Sequence, residues 1–260
     1  MNTLPTIAKQ RLHNDMKNLY KNPIPNIFHS WSCENMTKIR LIIIGPEDTP
    51  YENGFYCIEL QVTKDFPFLP PKAKFLTSDG KVRMNPNLYA CGKICISILN
   101  TWDGDKWSAC QSISSLAVSL QSILHNNPIQ NEPGFKNEVG KMSRLYNDCV
   151  AHANIRVGVL QMINNTPKGF EGIRDDMCKY FLDHYKWYKQ FCKNNLNKYS
   201  NFSIKSPIYN WEEKFNYKLL FQNIRKLKKQ LVPPLPKTTP KTTPKTTPKN
   251  NKKIKNKKNK

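Results

Sequence analysis

An α+β fold is the class that this 260-residue sequence predicts, and two observations carry it. Residues 38–44, 55–63 and 72–76 read as strands, and the turn signals between them fall at hairpin distances, which an antiparallel meander satisfies most economically. Residues 5–21, 113–124 and 138–165 carry apolar side chains at helical spacing on either side of that block. The length accommodates a core domain of about 150 residues plus additions.

Taken in order, the first helical segment places Ile7, Leu12, Met16, Leu19 and Tyr20 near one stripe. Pro5 suits a first helical position, and Asn22-Pro23 ends the run. The run at 38–44 is rich in isoleucine and stops at Gly45-Pro46. In 55–63, Tyr56, Ile58, Leu60 and Val62 alternate with period two. The shorter run at 72–76 follows Pro70-Pro71. Phe68, with prolines around it, reads either as a rigid exposed anchor for a partner or as core filler. Ile113, Leu116, Ala117, Leu120, Ile123 and Leu124 form the stripe of a helix that Asn126-Asn127-Pro128 stops.

Beyond Pro167, Met177, Tyr180, Phe181, Tyr185, Tyr188 and Phe191 recur at helical spacing. After a break from Asn194 to Pro207, Trp211, Phe215, Leu219, Leu220, Ile224 and Leu227 do the same. Such stripes are packing faces, so residues 166–232 are expected to form a helical extension rather than a catalytic module. Three Lys-Thr-Thr-Pro copies at 237–248 and a lysine-rich end lack the apolar residues that would offset ordering entropy. Residues 233–260 are therefore expected to be a disordered tail.

The formal charge is +22, of which ten lysines without an acid lie from Pro233 onward. A basic balance favours acidic partners, and nucleic-acid contact by the tail competes with self-modification and with plain solvation. No apolar run approaches the roughly 18–20 residues of a membrane span, so no membrane partner is expected and the expected setting is cytosolic or nuclear. The eight cysteines, at 33, 57, 91, 95, 110, 149, 178 and 192, form no C-x-x-C pair. Free thiols and no metal site are expected.

Chemistry concentrates between Met84 and Trp107. Asn85-Pro86-Asn87 is a turn signal, and the apolar run Ile94-Cys95-Ile96-Ser97-Ile98-Leu99 follows it. Cys95 is either a small buried hydrophobe or a nucleophile toward a carbonyl carbon. Asn87 can donate an amide hydrogen where negative charge develops, or it can bond local backbone in the turn.

Asn-Pro-Asn-x-Tyr at 85–89, Gly-Lys-x-Cys-x-Ser-Ile-Leu at 92–99 and Trp-Ser-x-x-x-Ser-Ile at 107–113 resemble the active-site segment of ubiquitin-conjugating enzymes. Gly45-Pro46-x-x-Thr49-Pro50-Tyr51-x-x-Gly54, Phe66-Pro67-Phe68-x-Pro70-Pro71 and Asn131-Glu132-Pro133 stand in the family's order. The polar insert 100–107, Ile155-Arg156-Val157 and Phe181-Leu182-Asp183-His184-Tyr185 are similar to the large Z class of that family. The resemblance covers roughly 5–231 and implies a four-stranded antiparallel meander with flanking helices over 1–165.

It also implies that Cys95 carries ubiquitin or a relative as a thioester and that Asn87 steadies the oxyanion. Tyr89 and Glu132 match positions that line the incoming lysine. Phe68, Ser108 and Ala109 match the ligase-binding loops, and the first helix, with Lys9 and Arg11, the surface that docks the activating enzyme. The expected partners are modifier, activating enzyme, ligases and protein substrates. No cofactor is implied, ATP being used by the activating enzyme. An inactive modifier-binding variant of the same fold is the alternative. One departure stands out: the family usually has His-Pro-Asn where this chain has Asn85-Pro86-Asn87, and an asparagine amide can replace the histidine's hydrogen bonds.

Overall fold

The computed structural model describes residues 4–31 and 35–232. The tail, 233–260, and Cys33 lie outside the described residues. The elements run α1 (Thr6–Lys21), β1 (Ile27–Trp31), β2 (Lys38–Ile44), β3 (Phe55–Gln61), β4 (Lys72–Phe75), α2 (Ile113–Ser122) and α3 (Lys141–Ala153). From α3 the chain passes through a π-helical stretch, Asn154–Gln161, into the short α4 (Met162–Asn164). The extension then adds α5 (Arg174–Asp183), α6 (Tyr185–Asn194), β5 (Ser203–Lys205), β6 (Glu212–Lys214) and α7 (Tyr217–Leu231).

Strands β1 to β4 form the expected antiparallel meander in sequential order. Ile39 faces Leu60, and Ile43 faces Tyr56, which sets one inward face. The other face divides along its length. One end is charged, with Lys38 and Arg40 against Glu59, and the Lys38–Glu59 pair is 2.8 Å apart. The opposite end carries Phe28, Ile42, Ile44, Phe55 and Cys57, and Tyr180 of α5 lies on its rings, 6.4 Å from Phe28 and 5.9 Å from Phe55. The period-two reading of residues 55–63 therefore saw half of the burial, because Phe55 and Cys57 are buried as completely as Tyr56 and Ile58. Strands covered on both faces lose their alternation.

Helix α1 begins after Pro5 and buries Ala8, Leu12, Met16 and Leu19. Ile7 and Tyr20, expected on the same stripe, are 60% and 54% exposed. Asp15 is buried instead. Its carboxylate accepts from Arg11 Nε at 2.8 Å and from the Ile113 amide at 3.1 Å, so α1 caps the first turn of α2. Ser112 and Ser115 close that turn as a capping box.

The extension docks through its polar groups as well as its rings. Tyr180 and Tyr188 donate to Asn53 Oδ1 and to its carbonyl, at 2.7 and 2.6 Å. Glu213 of β6 accepts from His152 Nδ1 at 2.6 Å and from Arg156 Nε and Nη2 at 2.9 and 2.7 Å. His152 Nε2 accepts the Asn216 amide at 2.9 Å, which places the ring's proton on Nδ1. The helical reading of Trp211 and Phe215 is corrected: they flank strand β6 of a β5–β6 hairpin, and α7 starts at Tyr217. Leu219, expected on its buried stripe, is exposed.

Candidate active site

After β4 the chain folds into a small irregular hairpin that holds the candidate residues. Leu88 bridges to Ile94, and the Tyr89 amide donates to Lys93 O at 2.9 Å. Gly92 makes the turn at φ +93°, and its carbonyl accepts the Phe75 amide from β4 at 2.9 Å. A Cβ at this glycine would stand 2.9 Å from Phe75 O, so both the conformation and the close approach require glycine.

Asn85 is fully buried and satisfied. Its Nδ2 donates to Tyr51 Oη and to Ile123 O, each at 2.8 Å, while its Oδ1 accepts the Asn87 amide at 2.8 Å. Tyr51 in turn donates to Met84 O at 2.8 Å. The amide that stands in the family's histidine position thus ties the turn to β2–β3 on one side and to the end of α2 on the other, using donor and acceptor together.

Two residues on, Asn87 and Cys95 are coupled twice. The Cys95 amide donates to Asn87 O at 2.9 Å, and Asn87 Nδ2 donates to Cys95 O at 2.6 Å. Asn87 Oδ1 is buried without a protein partner. The amide donor therefore rests on the backbone carbonyl of the thiol's own residue, a bond to local backbone within the turn.

Cys95 itself is 3% exposed, the burial that its reading as a small hydrophobe requires. Even so, it lies outside the contiguous apolar core that includes Cys57, Cys149, Cys178 and Cys192. Burial pushes the Cys57, Cys149 and Cys192 thiols up to about 12, so they stay protonated and unreactive. Cys91 and Cys110 are exposed.

Tyr89 and Glu132 meet through residues that sequence reasoning missed. Tyr89 stacks on the Arg83 guanidinium, 3.5 Å from ring centroid to Cζ. The opposite contact comes from the extension, where the Tyr209 ring lies 3.6 Å from the same Cζ. The Tyr209 hydroxyl donates to Glu132 Oε2. Arg83 also donates from Nη2 to Pro86 O at 2.6 Å, which holds the cation beside the turn. Arg83 directly precedes the Met84–Trp107 stretch and was visible by position, whereas Tyr209 falls between the break that ends at Pro207 and the stripe that begins at Trp211, and neither reading included it.

The remaining candidates fall elsewhere. Phe68 is 68% exposed, on a loop whose Pro67 carbonyl accepts the buried Trp107 indole at 2.7 Å. Ser108 is exposed and Ala109 half-buried on the next loop. Lys9 is exposed on α1, but Arg11 donates from Nη1 to Ala109 O at 2.6 Å and from Nη2 to Gln111 O. Arg11 thus fastens α1 to the Ser108–Ala109 loop. Among the described residues, no cluster of three or more His, Cys, Asp or Glu side chains can hold a metal ion, and no helix is long and apolar enough to cross a membrane.

The family model for ubiquitin-conjugating enzymes matches residues 11–153. Zebrafish (Danio rerio) ubiquitin-conjugating enzyme E2 Z is 38% identical over 228 residues, covering 87% of this chain and 69% of that protein. Its Xenopus tropicalis counterpart is 36% identical over 223 residues, covering 85% and 71%. The human protein of that name is 38% identical over 227 residues, covering 86% of this chain and 64% of its own length. These likenesses run through the meander, the Asn87–Cys95 turn and on into the extension, and by them the chain belongs to the ubiquitin-conjugating enzymes, transferases that act through a cysteine thioester.

Proposed function

We propose that Cys95 is the thioester carrier, that it accepts ubiquitin or a relative from an activating enzyme, and that it passes the acyl group to a substrate lysine, alone or with a ligase. The family implies ubiquitin, an activating enzyme and ligases as partners. The observation that carries the assignment to this residue is the double coupling of Asn87 to Cys95, which rests a side-chain amide donor on the carbonyl of this one cysteine.

In the first step the Cys95 thiolate attacks the carbonyl carbon of the incoming thioester. A new C–S bond forms and the activating enzyme's thiolate leaves, a nearly isoenergetic exchange. In the second step a neutral lysine amine attacks the same carbon, gives up a proton, and expels the Cys95 thiolate as the amide forms. Both steps pass through an oxyanion. A swing of the Asn87 amide from Cys95 O toward that oxygen would stabilise it, and removing one such donor elsewhere costs about 3–4 kcal/mol. Glu132 and Tyr89 line the amine's approach, Glu132 attracting the ε-ammonium. Phe68 with Ser108 and Ala109 forms the ligase surface, the Phe68 ring exposed on a loop that Trp107 braces through Pro67 O. Lys9 is the open basic residue of the activating-enzyme surface.

The test is loading. With activating enzyme, ubiquitin and ATP, the wild-type protein should form an adduct that a thiol reductant removes, and Cys95→Ser should abolish it. A reductant-sensitive adduct that persists in Cys95→Ser and disappears in Cys91→Ser or Cys110→Ser would move the site.

A further inference from the structure

The β5–β6 hairpin brings one residue of the extension to the acceptor side of the site, and it does so under strain. Tyr209 and Asn210 are consecutive residues at φ +67° and +52°. A tyrosine in this left-handed region is uncommon, and such strain persists where surrounding structure imposes it. Here the bend is closed by the Ser206 amide on Trp211 O and by Ser206 Oγ on Ile208 O, both at 2.8 Å. Just beyond it, Glu213 is anchored by His152 and Arg156.

Tyr209 spends this rigid placement on two contacts. Its ring and that of Tyr89 hold Arg83 between them, and its hydroxyl donates to Glu132. Burial, then the carboxylate that accepts its proton, raises the phenol's pKa, so it remains a donor at neutral pH. A single neutral donor leaves Glu132 with free lone pairs for an ammonium.

We propose that Tyr209 is a positioning residue for the second transfer: it fixes the Glu132 carboxylate directly and the Tyr89 ring through Arg83, so that the extension builds part of the seat for the acceptor lysine. The proposal rests on the reading of Cys95 as carrier and of Tyr89 and Glu132 as acceptor-side residues. Without the hydroxyl, each arriving amine must order the carboxylate itself, and the loss equals the freezing of one rotamer-rich side chain, about two- to tenfold in rate.

The experiment separates the two transfers. Wild type, Tyr209→Phe, Tyr209→Ala and Glu132→Gln are loaded with ubiquitin, ATP is exhausted, and discharge is followed with free lysine over a concentration series and with hydroxylamine, a neutral nucleophile with no ammonium to seat. Tyr209→Phe should load and discharge to hydroxylamine at the wild-type rate, yet need a higher lysine concentration for half-maximal discharge. Tyr209→Ala, which also frees Arg83 and Tyr89, should lose more. In a Glu132→Gln background the Phe substitution should add little, since coupled residues are not additive. Wild-type lysine kinetics in Tyr209→Phe, equal loss with both nucleophiles, or full additivity with Glu132→Gln would overturn the proposal. A wild-type protein that takes no ubiquitin on Cys95 would overturn the carrier reading, and the inference with it.

Discussion

Replacing Asn85 by alanine tests whether the turn at the site depends on one buried amide. The partners' fates set the magnitude. Ile123 O keeps a hydrogen bond from Asn131 Nδ2 at 3.2 Å, and the Tyr51 hydroxyl keeps its own on Met84 O. The Asn87 amide has no second acceptor among its described contacts and is left bare. One stranded, part-buried donor costs about 1–3 kcal/mol. The void left by the amide adds about 1 kcal/mol. Asn85→Ala should therefore unfold at lower urea with an unchanged slope, destabilised by about 2–4 kcal/mol. Because the Asn87 main chain is what Asn85 pins, single-turnover discharge to lysine should also fall, by about tenfold or more for a shift of a few tenths of an ångström to 1 Å. Asn85→His should recover most of both losses, since a neutral imidazole supplies one donor and one acceptor. An alanine variant within about 0.5 kcal/mol of wild type, the range of ordinary surface substitutions, would refute the reasoning. So would a histidine variant less stable than the alanine.

Three further outcomes follow from named contacts. Gly92→Ala places a methyl against Phe75 O at positive φ and should cost about 1–3 kcal/mol, read as a shift in urea midpoint, with loading reduced in proportion to the loss of the turn. Glu213→Gln should destabilise by about 3 kcal/mol at pH 7, the scale of a broken buried ion pair. Burial favours the protonated form of Glu213, but the hydrogen bonds from His152 and Arg156 outweigh it and hold the carboxyl below its ordinary value. The stabilisation is therefore complete above an unfolded pKa of about 4.3 and lost as pH falls through the lower folded value. The difference between wild type and Glu213→Gln should accordingly shrink below about pH 4, and a gap constant down to acid unfolding would contradict the assignment. Phe68→Ala should leave loading and lysine discharge intact while weakening ligase-stimulated transfer about tenfold or more, as truncation of an exposed aromatic anchor does.

What was legible in the sequence is what local chemistry determines. Pro5 and Asn22-Pro23 bracket α1, the isoleucine run gives β2, and the donor–acceptor pair on Asn85 anticipates the hydrogen bonds it makes. Cys95 and Asn87 were placed together by the family resemblance, which sets the asparagine eight positions before the cysteine. Strand β1 was not found from its residues: Ile27-Phe28-His29-Ser30-Trp31 has no clean alternation, and its pairing with β2 sets its register. Ile7 and Tyr20 were assigned inward because spacing alone does not know that Asp15 takes a buried position to cap α2. The Arg83–Tyr209–Glu132 contacts were invisible for the same reason at longer range, since nothing near Tyr209 in sequence indicates a partner 77 residues away.

That last failure bears on how the extension is understood. An appendage that merely covered apolar surface would need only rings, and Tyr180 of α5 supplies one over Phe28 and Phe55. The hairpin adds to that ring, and to the Tyr180 and Tyr188 hydroxyl bonds on Asn53, a denser set of polar anchors. It is pinned by directional groups: a bidentate Arg156–Glu213 pair, a histidine bonded through both nitrogens, and a bend closed by Ser206. Apolar packing tolerates slippage of a fraction of an ångström, whereas charge-assisted bonds of this geometry specify position. Directional anchoring is what a segment requires if a side chain at its tip must meet a carboxylate at a fixed point. The hairpin's attachment and the Tyr209 contact are thus two consequences of one arrangement, in which residues far apart in the chain share the acceptor side of the site.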